Sequence, residues 1–250
     1  MDNKLKVLLK KDYVILDGGM GTMLQAAGMK MGETPEMLNI TQPELLISIH
    51  EKYLNAGSDI IYANTFGGNR YKLEECGHSV HELVTAGIKN ARTACDNVKP
   101  EALVALDVGP IGRLSFEEAY EMYAEIVKAG EAAGADLVVF ETMTDLLDVK
   151  AAVLAAKENS SLPVMTTMTF EENMRTFTGC QISAFALTAA GLGVDALGVN
   201  CSLGPKELEP VIAELTQWTN LPVIVKPNAG LPDPVTNLYN VNAAQFAEFM

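Results

Sequence analysis

The feature of this sequence that most restricts its fold is an alternation between short apolar runs and helical patterns. The runs recur roughly every 30–40 residues, which is the length of a βαβ unit. Seven of them are rich in Val, Ile and Leu: Tyr13–Gly18, Asp59–Phe66, Ala102–Pro110, Asp136–Thr142, Pro163–Phe170, Ala196–Ser202 and Pro222–Gly230. Nearly continuous apolar runs are typical of strands buried on both faces, so the pattern predicts a parallel sheet.

The segments between the runs are predicted to be helices. Capping residues mark where four of them begin: Thr41, Ser115, Asp145 and Gly204. We expect the first of these helices to end at Gly57 and the second near Gly134, because glycine is the preferred residue just after a helix. Strands that alternate with helices in this way indicate the α/β class.

Two α/β architectures remain, an open doubly wound sheet and a (β/α)8 barrel. The segment from Gly19 to Leu24 lacks the third glycine of the dinucleotide-binding GxGxxG motif, and the phosphate-binding lysine motif does not occur either. The number of units and the position of the polar residues favour the barrel. We therefore predict a single (β/α)8 barrel domain over residues 1–250, truncated before its eighth strand because only seven runs can be counted.

Polar residues gather at the C-terminal ends of the apolar runs. They are Asp17, Asn64, Thr65, Asp107, Glu141, Thr142, Asn200, Cys201 and Asn228. In a barrel these ends share one rim, and active sites are built there. Loops are polar in any case, but a polar side chain that directly follows four or more apolar residues costs free energy unless it is used. We therefore predict that the rim is functional.

The end of the first run suits an amino-acid ligand. The N–H groups of Gly18 and Gly19 can cradle an anion, and Asp17 supplies a carboxylate for an ammonium group. Glu141, at a neighbouring position of the rim, adds a second carboxylate. Each residue alone also has an ordinary structural explanation, either a Gly-Gly turn or a strand-end ion pair with a lysine.

The cysteines and one lysine offer further chemistry. Cys201 stands at the end of the sixth run, where a cysteine is a candidate nucleophile or metal ligand. Cys76, Cys95 and Cys180 have neither that position nor CxxC spacing, so we predict buried thiols. Lys226, near the end of the seventh run, is a candidate Schiff-base lysine, which would make the protein a lyase.

The charge balance argues against two classes of partner. The formal net charge is −14, which disfavours binding to nucleic acid or to an anionic membrane surface. No apolar stretch is long enough for a transmembrane helix. Lys10, Lys11 and Asp12 interrupt the apolar N-terminal segment, which is therefore not typical of a signal peptide. We expect a cytoplasmic protein.

Six motifs together resemble the homocysteine S-methyltransferase family. They are LDGGMGTML at 16–24, ANTFGGN at 63–69, DVGPIG at 107–112, FET at 140–142, VNCSLGP at 199–205 and PNAG at 227–230. The resemblance runs from about residue 5 to residue 250 and is greatest to the N-terminal homocysteine-binding module of the cobalamin-dependent members. It implies a (β/α)8 barrel that binds homocysteine and Zn²⁺ at its C-terminal rim.

The resemblance also implies roles for particular residues. Seven positions match residues that hold the amino-acid end of homocysteine or line the same rim: Asp17, Gly18, Gly19, Asn64, Thr65, Glu141 and Asn200. Cys201 matches the first zinc-binding cysteine, and Asn228 matches a residue that can approach the zinc when substrate is absent. The family's two other zinc cysteines belong to a Gly-Gly-Cys-Cys segment that this sequence lacks, so the resemblance implies an incomplete zinc site.

The activity implied by the resemblance is methyl transfer to sulfur. Zinc deprotonates a coordinating thiol, so the homocysteine sulfur becomes a nucleophile. It would accept a methyl group from methylcobalamin on another module, which is methylated in turn from methyltetrahydrofolate on a third, and the product would be methionine. A non-catalytic amino-acid-binding module remains an alternative.

Overall fold

The computed structural model describes residues 4–30, 32–73, 76–112, 114–230, 239 and 241–250. Within them, six strands form one curled sheet: β1 (Ile60–Tyr62), β2 (Leu103–Val108), β3 (Leu137–Met143), β4 (Val164–Met168), β5 (Ala196–Asn200) and β6 (Val223–Lys226). The strands lie side by side in chain order, and every neighbouring pair is parallel. The predicted α/β class and parallel sheet are confirmed.

Helices precede the sheet and follow its strands. They are α1 (Lys4–Leu8), α2 (Met20–Ala26), α3 (Leu38–Thr41), α4 (Pro43–Asn55), α5 (Arg70–Leu73), α6 (Val80–Val98), α7 (Phe116–Ala133), α8 (Leu146–Asn159), α9 (Ile182–Gly191), α10 (Pro205–Leu215) and α11 (Ala243–Phe249), with a short 3₁₀ helix at Pro35–Met37. Among the described residues, none of these helices has both the length and the apolar character that a membrane span requires.

Local capping explains most of the helix boundaries. The predicted capping box at Ser115 is present, and α7 ends at Gly134 in the left-handed conformation (φ 91°). The Asp145 side chain accepts a hydrogen bond from Leu147 N at 2.7 Å and caps α8. The prediction of Thr41 as an N-cap is wrong. This residue ends α3, and its hydroxyl donates to the carbonyl of Met37 instead.

The sheet is buried on both faces because successive side chains along each strand point in opposite directions. One set, which includes Ile61, Val104 and Val138, packs outward against the helices in the main hydrophobic core. The alternate set fills the inside of the curled sheet: Ile60, Tyr62, Leu103, Ala105, Leu137, Val139, Met165, Ala196 and Ile224. Leu5 of α1 packs against this inner set.

The first apolar run does not form a full strand as predicted. Leu16 makes a single parallel bridge to Ile60, beside β1. The pairing stops because Ile15 N donates to the carboxylate of Asp59 rather than to a strand carbonyl. Tyr13 is 75% exposed, so the beginning of this run is not buried on both faces. The run nevertheless brings Asp17 to the edge of β1.

Candidate functional site

Strand alternation carries polar side chains into the inside of the curled sheet at its C-terminal end. On β3 the inner residues Leu137 and Val139 are followed two positions later by Glu141. By the same period of two, Asp107 follows Leu103 and Ala105, and Lys226 follows Ile224. With Asp17 and Tyr62, these residues form the acidic pocket: Asp17, Tyr62, Asp107, Glu141 and Lys226.

Asp17 is fixed in the pocket by β1. Its backbone N–H donates to Ile60 O at 3.1 Å, and its Oδ2 accepts a hydrogen bond from Tyr62 N at 2.7 Å. Its other oxygen, Oδ1, is buried and has no hydrogen-bond partner among the described residues. Burial raises the pKa of Asp17 to about 7, although Lys226 and the Tyr62 N–H act in the opposite direction.

Lys226 lies at the centre of the pocket. Its Nζ is 3.5 Å from Glu141 Oε2 and 3.7 Å from Asp17 Oδ1, and it stands 3.7 Å from the centroid of the Tyr62 ring. Burial acts to lower the pKa of Lys226, but Tyr62, Glu141 and the two aspartates outweigh it and hold that pKa above its usual value. A Schiff-base lysine needs a neutral amine, so this environment disfavours the lyase alternative.

Asp107 and Tyr62 are pocket members to which sequence reasoning gave no binding role. Asp107 Oδ1 and the Tyr62 hydroxyl are buried without hydrogen-bond partners in the described chain. Burial, and then the charge of Glu141, raise the pKa of Asp107 well above its usual value. Asp107 carried the same strand-end signal as Glu141. Tyr62 carried none, because an aromatic residue within an apolar run is typical of a core.

Asn200 joins three rim residues next to the pocket. Its Oδ1 accepts hydrogen bonds from Thr142 N (2.9 Å) and Thr167 Oγ1 (2.8 Å). Its Nδ2 donates to Thr142 Oγ1 (2.8 Å) and to Cys201 Sγ (3.3 Å). The side chain predicted to line the rim is therefore buried and acts as a connector between β3, β4 and β5.

The backbone is strained at the same place. Thr142 (φ 62°), Cys201 (φ 58°) and Ser202 (φ 61°) adopt left-handed conformations, which non-glycine residues rarely do. Such conformations cost about 1–3 kcal/mol each and cluster at functional sites. The strain therefore supports a functional reading of the rim around Cys201.

Asn64 and Thr65, two of the remaining predicted site residues, form hydrogen bonds to neighbouring segments. Asn64 Nδ2 donates to Pro35 O (2.8 Å) and Asn39 Oδ1 (2.9 Å), and Thr65 Oγ1 donates to the carbonyl of Asp107 (2.8 Å). These two side chains therefore tie the end of β1 to its neighbours.

Gly18 and Gly19 lie against Tyr53. A Cβ on Gly18 would come within 2.9 Å of the Tyr53 ring, and the Tyr53 hydroxyl donates to Gly19 O at 3.0 Å. A side chain at Gly18 would therefore displace Tyr53, so packing already demands glycine there.

Cys201 is the metal-ligand candidate that the structure places at the rim. Its thiol is half-buried and lies 3.8 Å from Thr142 Oγ1, and burial raises its pKa. Asn228 lies close to the segment that follows Cys201, because its N–H donates to Leu203 O at 3.0 Å. In the part of the chain that the structure describes, no group of three or more His, Cys, Asp or Glu side chains could hold a metal ion. These residues do not fit a complete zinc site, which needs three protein ligands.

The other cysteines are free thiols. Cys95 is buried as predicted, whereas Cys76 and Cys180 are only partly buried. Cys180 lines a surface cavity of about 460 Å³ between the start of α8 and the segment that precedes α9, and Arg175 also lines that cavity.

The fold and the acidic pocket define an α/β protein with a site suited to a small cationic or zwitterionic ligand. The family described as homocysteine S-methyltransferase matches residues 14–250. The chain belongs to this family.

Two curated relatives come from mycobacteria. The chain is 32% identical over 253 residues to the methionine synthases of Mycobacterium tuberculosis (strain ATCC 25618 / H37Rv) and Mycobacterium leprae (strain TN). Each alignment covers 92% of this chain but 21% of the relative, so the chain spans about a fifth of those proteins.

A solved structure supports the fold. The homocysteine methyltransferase MmuM from Escherichia coli, in its oxidized form, superimposes with a TM-score of 0.86 over 99% of this chain and 90% of that one, at 24% identity. Its metallated form gives a TM-score of 0.82 over 91% of this chain and 88% of that one, at 23% identity.

Proposed function

We propose that residues 1–250 form a homocysteine-binding methyltransferase domain, and that its acidic pocket holds the amino-acid end of homocysteine. The observation that carries the proposal is the buried oxygen Asp17 Oδ1, which accepts no hydrogen bond from the residues that the structure describes and has only the Lys226 ammonium at 3.7 Å beside it. A buried carboxylate oxygen without a donor costs free energy, and an α-ammonium group would supply that donor.

The charge of the pocket supports an ammonium ligand. Three carboxyl groups, those of Asp17, Asp107 and Glu141, surround one lysine ammonium. Burial raises the pKa values of Asp17 and Asp107 and so disfavours their charged forms, and a second cation in the pocket would stabilise those charged forms. In this arrangement Asp17 and Glu141 receive the ammonium, and the N–H groups of Gly18 and Gly19 remain available to the carboxylate.

The rim residues would position the sulfur end of the substrate. Asn200 fixes Cys201 and Thr142 at the edge of the pocket, while Asn64 and Thr65 hold the end of β1. We propose that the curled sheet belongs to a (β/α)8 barrel in which the Leu16 bridge takes the place of the first strand. The mouth of such a barrel would surround the bound amino acid.

The proposal extends to a metal ion and a methyl donor. Cys201 would serve as one zinc ligand, with Asn228 nearby, but the described residues do not complete the site. The proposed donor is methylcobalamin on another module, which receives its methyl group from a methyltetrahydrofolate-binding module. This part is supported by the mycobacterial relatives, which are about five times as long as the aligned segment.

Titration calorimetry with L-homocysteine under reducing conditions tests the proposal. We expect the wild-type chain to bind, and Asp17→Asn and Glu141→Gln to weaken binding about 30-fold or more, because truncating a buried charge pair costs about 2–5 kcal/mol. Glu121→Gln, an exposed carboxylate on α7, is the matched control and should bind as the wild type does. Lack of binding by the wild-type chain at millimolar homocysteine would overturn the proposal.

A further inference from the structure

We propose that Lys226 determines substrate specificity by binding the α-carboxylate of the amino-acid substrate, together with the N–H groups of Gly18 and Gly19. This inference rests on the proposed function, because it names the group that recognises one end of the same ligand. It gives Lys226 a binding role in place of the covalent role considered from the sequence.

The contacts of the Lys226 ammonium group are long. Charge-assisted hydrogen bonds measure about 2.7–2.9 Å, whereas Lys226 Nζ lies 3.5 Å from Glu141 and 3.7 Å from Asp17. Several lysines elsewhere in this chain pair more closely, although Lys157 also lies 3.5 Å from Asp195. Lys99 lies 2.8 Å from Asp59, and Lys4 lies 2.7 Å from Asp136. The ammonium group of Lys226 therefore has donor capacity that its protein partners do not fully use.

The acidic pocket also contains carboxylate oxygens that lack hydrogen-bond donors among the described residues. Asp17 Oδ1, at 3.7 Å from Lys226 Nζ, is buried with no hydrogen-bond donor in the described chain, and Asp107 Oδ1 is in the same situation. The carboxylate oxygen Asp17 Oδ1, which lacks a hydrogen-bond donor, thus lies beside the Lys226 ammonium group, which has N–H groups to spare. An α-amino acid carries its ammonium and its carboxylate on one carbon atom, so a single zwitterion can satisfy both groups.

A zwitterion also preserves the charge balance of the site. A ligand with only an ammonium group would place a second cation beside Lys226, and like charges in a desolvated site repel. A ligand with only a carboxylate would bring another negative charge next to Asp17 and Glu141. The site therefore favours ligands that carry both groups.

The position of Lys226 links carboxylate binding to the sulfur end of the substrate. Lys226 pairs in register with Asn200 across β5 and β6, and its carbonyl accepts a hydrogen bond from Cys201 N at 3.0 Å. The carboxylate anchor and Cys201 are thus fixed to the same strand pair. The fixed distance between Lys226 and Cys201 would therefore select substrates whose side chain has the matching length between the carboxylate and the thiol.

The test compares three ligands by titration calorimetry: L-homocysteine, its methyl ester, and 3-mercaptopropylamine, which lacks the carboxylate. We expect the wild-type protein to prefer homocysteine to the other two by about 30-fold or more, as for a desolvated ion pair. In Lys226→Met, which keeps the length of the side chain but removes its charge, homocysteine should bind about 30-fold more weakly. The affinity for 3-mercaptopropylamine should not fall, so the preference collapses.

Several outcomes separate this inference from the proposed function. Equal binding of homocysteine and its methyl ester to the wild-type protein would overturn the inference, and this comparison requires no variant. An unchanged preference in Lys226→Met, or in Lys226→Gln if the first variant does not fold, would also overturn it. If the wild-type protein binds no homocysteine at all, the proposed function fails. If Asp17→Asn abolishes binding while Lys226→Met has no effect, only the inference about Lys226 fails.

Discussion

Replacing Asn200 by alanine should destabilise the protein strongly, because one buried side chain satisfies groups on three strands. The substitution removes the hydrogen bonds to Thr142 N, Thr142 Oγ1, Thr167 Oγ1 and Cys201 Sγ. It also removes a support of the left-handed backbone at Thr142 and Cys201. The change therefore acts on the stability of the sheet and on the geometry of the rim together.

The magnitude follows from the groups that are left without partners. Thr142 N and the buried hydroxyl of Thr167 would each lose the acceptor that Asn200 provides. A buried polar group left unsatisfied costs about 1–3 kcal/mol, so the buried Thr167 hydroxyl and the part-buried Thr142 N–H together give about 3 kcal/mol. This is a large part of the roughly 5–15 kcal/mol that stabilises a typical domain, yet the variant should still fold.

Urea denaturation followed by far-ultraviolet circular dichroism measures this loss. The matched control is Asn55→Ala, an exposed residue of α4 whose side chain donates only to Glu51 O, and it should change stability by less than about 0.5 kcal/mol. A loss below about 1 kcal/mol for Asn200→Ala would refute the role of this residue as a connector.

Two further predictions concern His50 and Gly198. Burial lowers the pKa of His50 to about 4 in the folded protein, whereas the histidine of the unfolded chain has its ordinary pKa of about 6.5. As the pH falls from about 6.5 towards 4, the imidazole is therefore protonated in the unfolded chain but not in the folded one, and the free energy of unfolding decreases. Between pH 7 and 5, urea titrations should show the wild type losing about 2 kcal/mol more than His50→Leu. An equal loss would contradict this reasoning. At Gly198 a Cβ would lie 2.0 Å from Ile224 O, so Gly198→Ala should cost at least about 3 kcal/mol. Gly21→Ala, which meets no neighbouring atom within 4 Å, should cost nothing; similar stability of the two variants would show that β5 and β6 separate easily.

The parts of the fold that depend on local sequence were predictable. The apolar runs predicted the parallel sheet, and the Ser115 capping box predicted the start of α7. Glu141 was predicted to lie at the rim because it directly follows an apolar run, and the lysine partner that the sequence left open for it is Lys226. The failure at the first run has a non-local cause, since the Asp59 carboxylate takes the N–H group of Ile15.

The composition of the acidic pocket was only partly predictable, because its contacts join residues far apart in the chain. Asp17 and Glu141 were expected there from motif and position. The role of Tyr62 depends on the cation from β6 that lies against its ring, and nothing near Tyr62 in the sequence indicates that contact. Lys226 was a candidate nucleophile from the sequence alone, because the carboxylates of Asp17 and Glu141, which act to raise its pKa, come from distant parts of the chain.

The central claim is that the acidic pocket binds the amino-acid end of homocysteine. A crystal structure of the chain with L-homocysteine tests it most directly. The account predicts that the α-ammonium group lies within hydrogen-bond distance of Asp17 Oδ1 and that the sulfur points towards Cys201. A well-ordered ligand bound outside this pocket, or bound with its ammonium group turned away from Asp17 and Glu141, would contradict it.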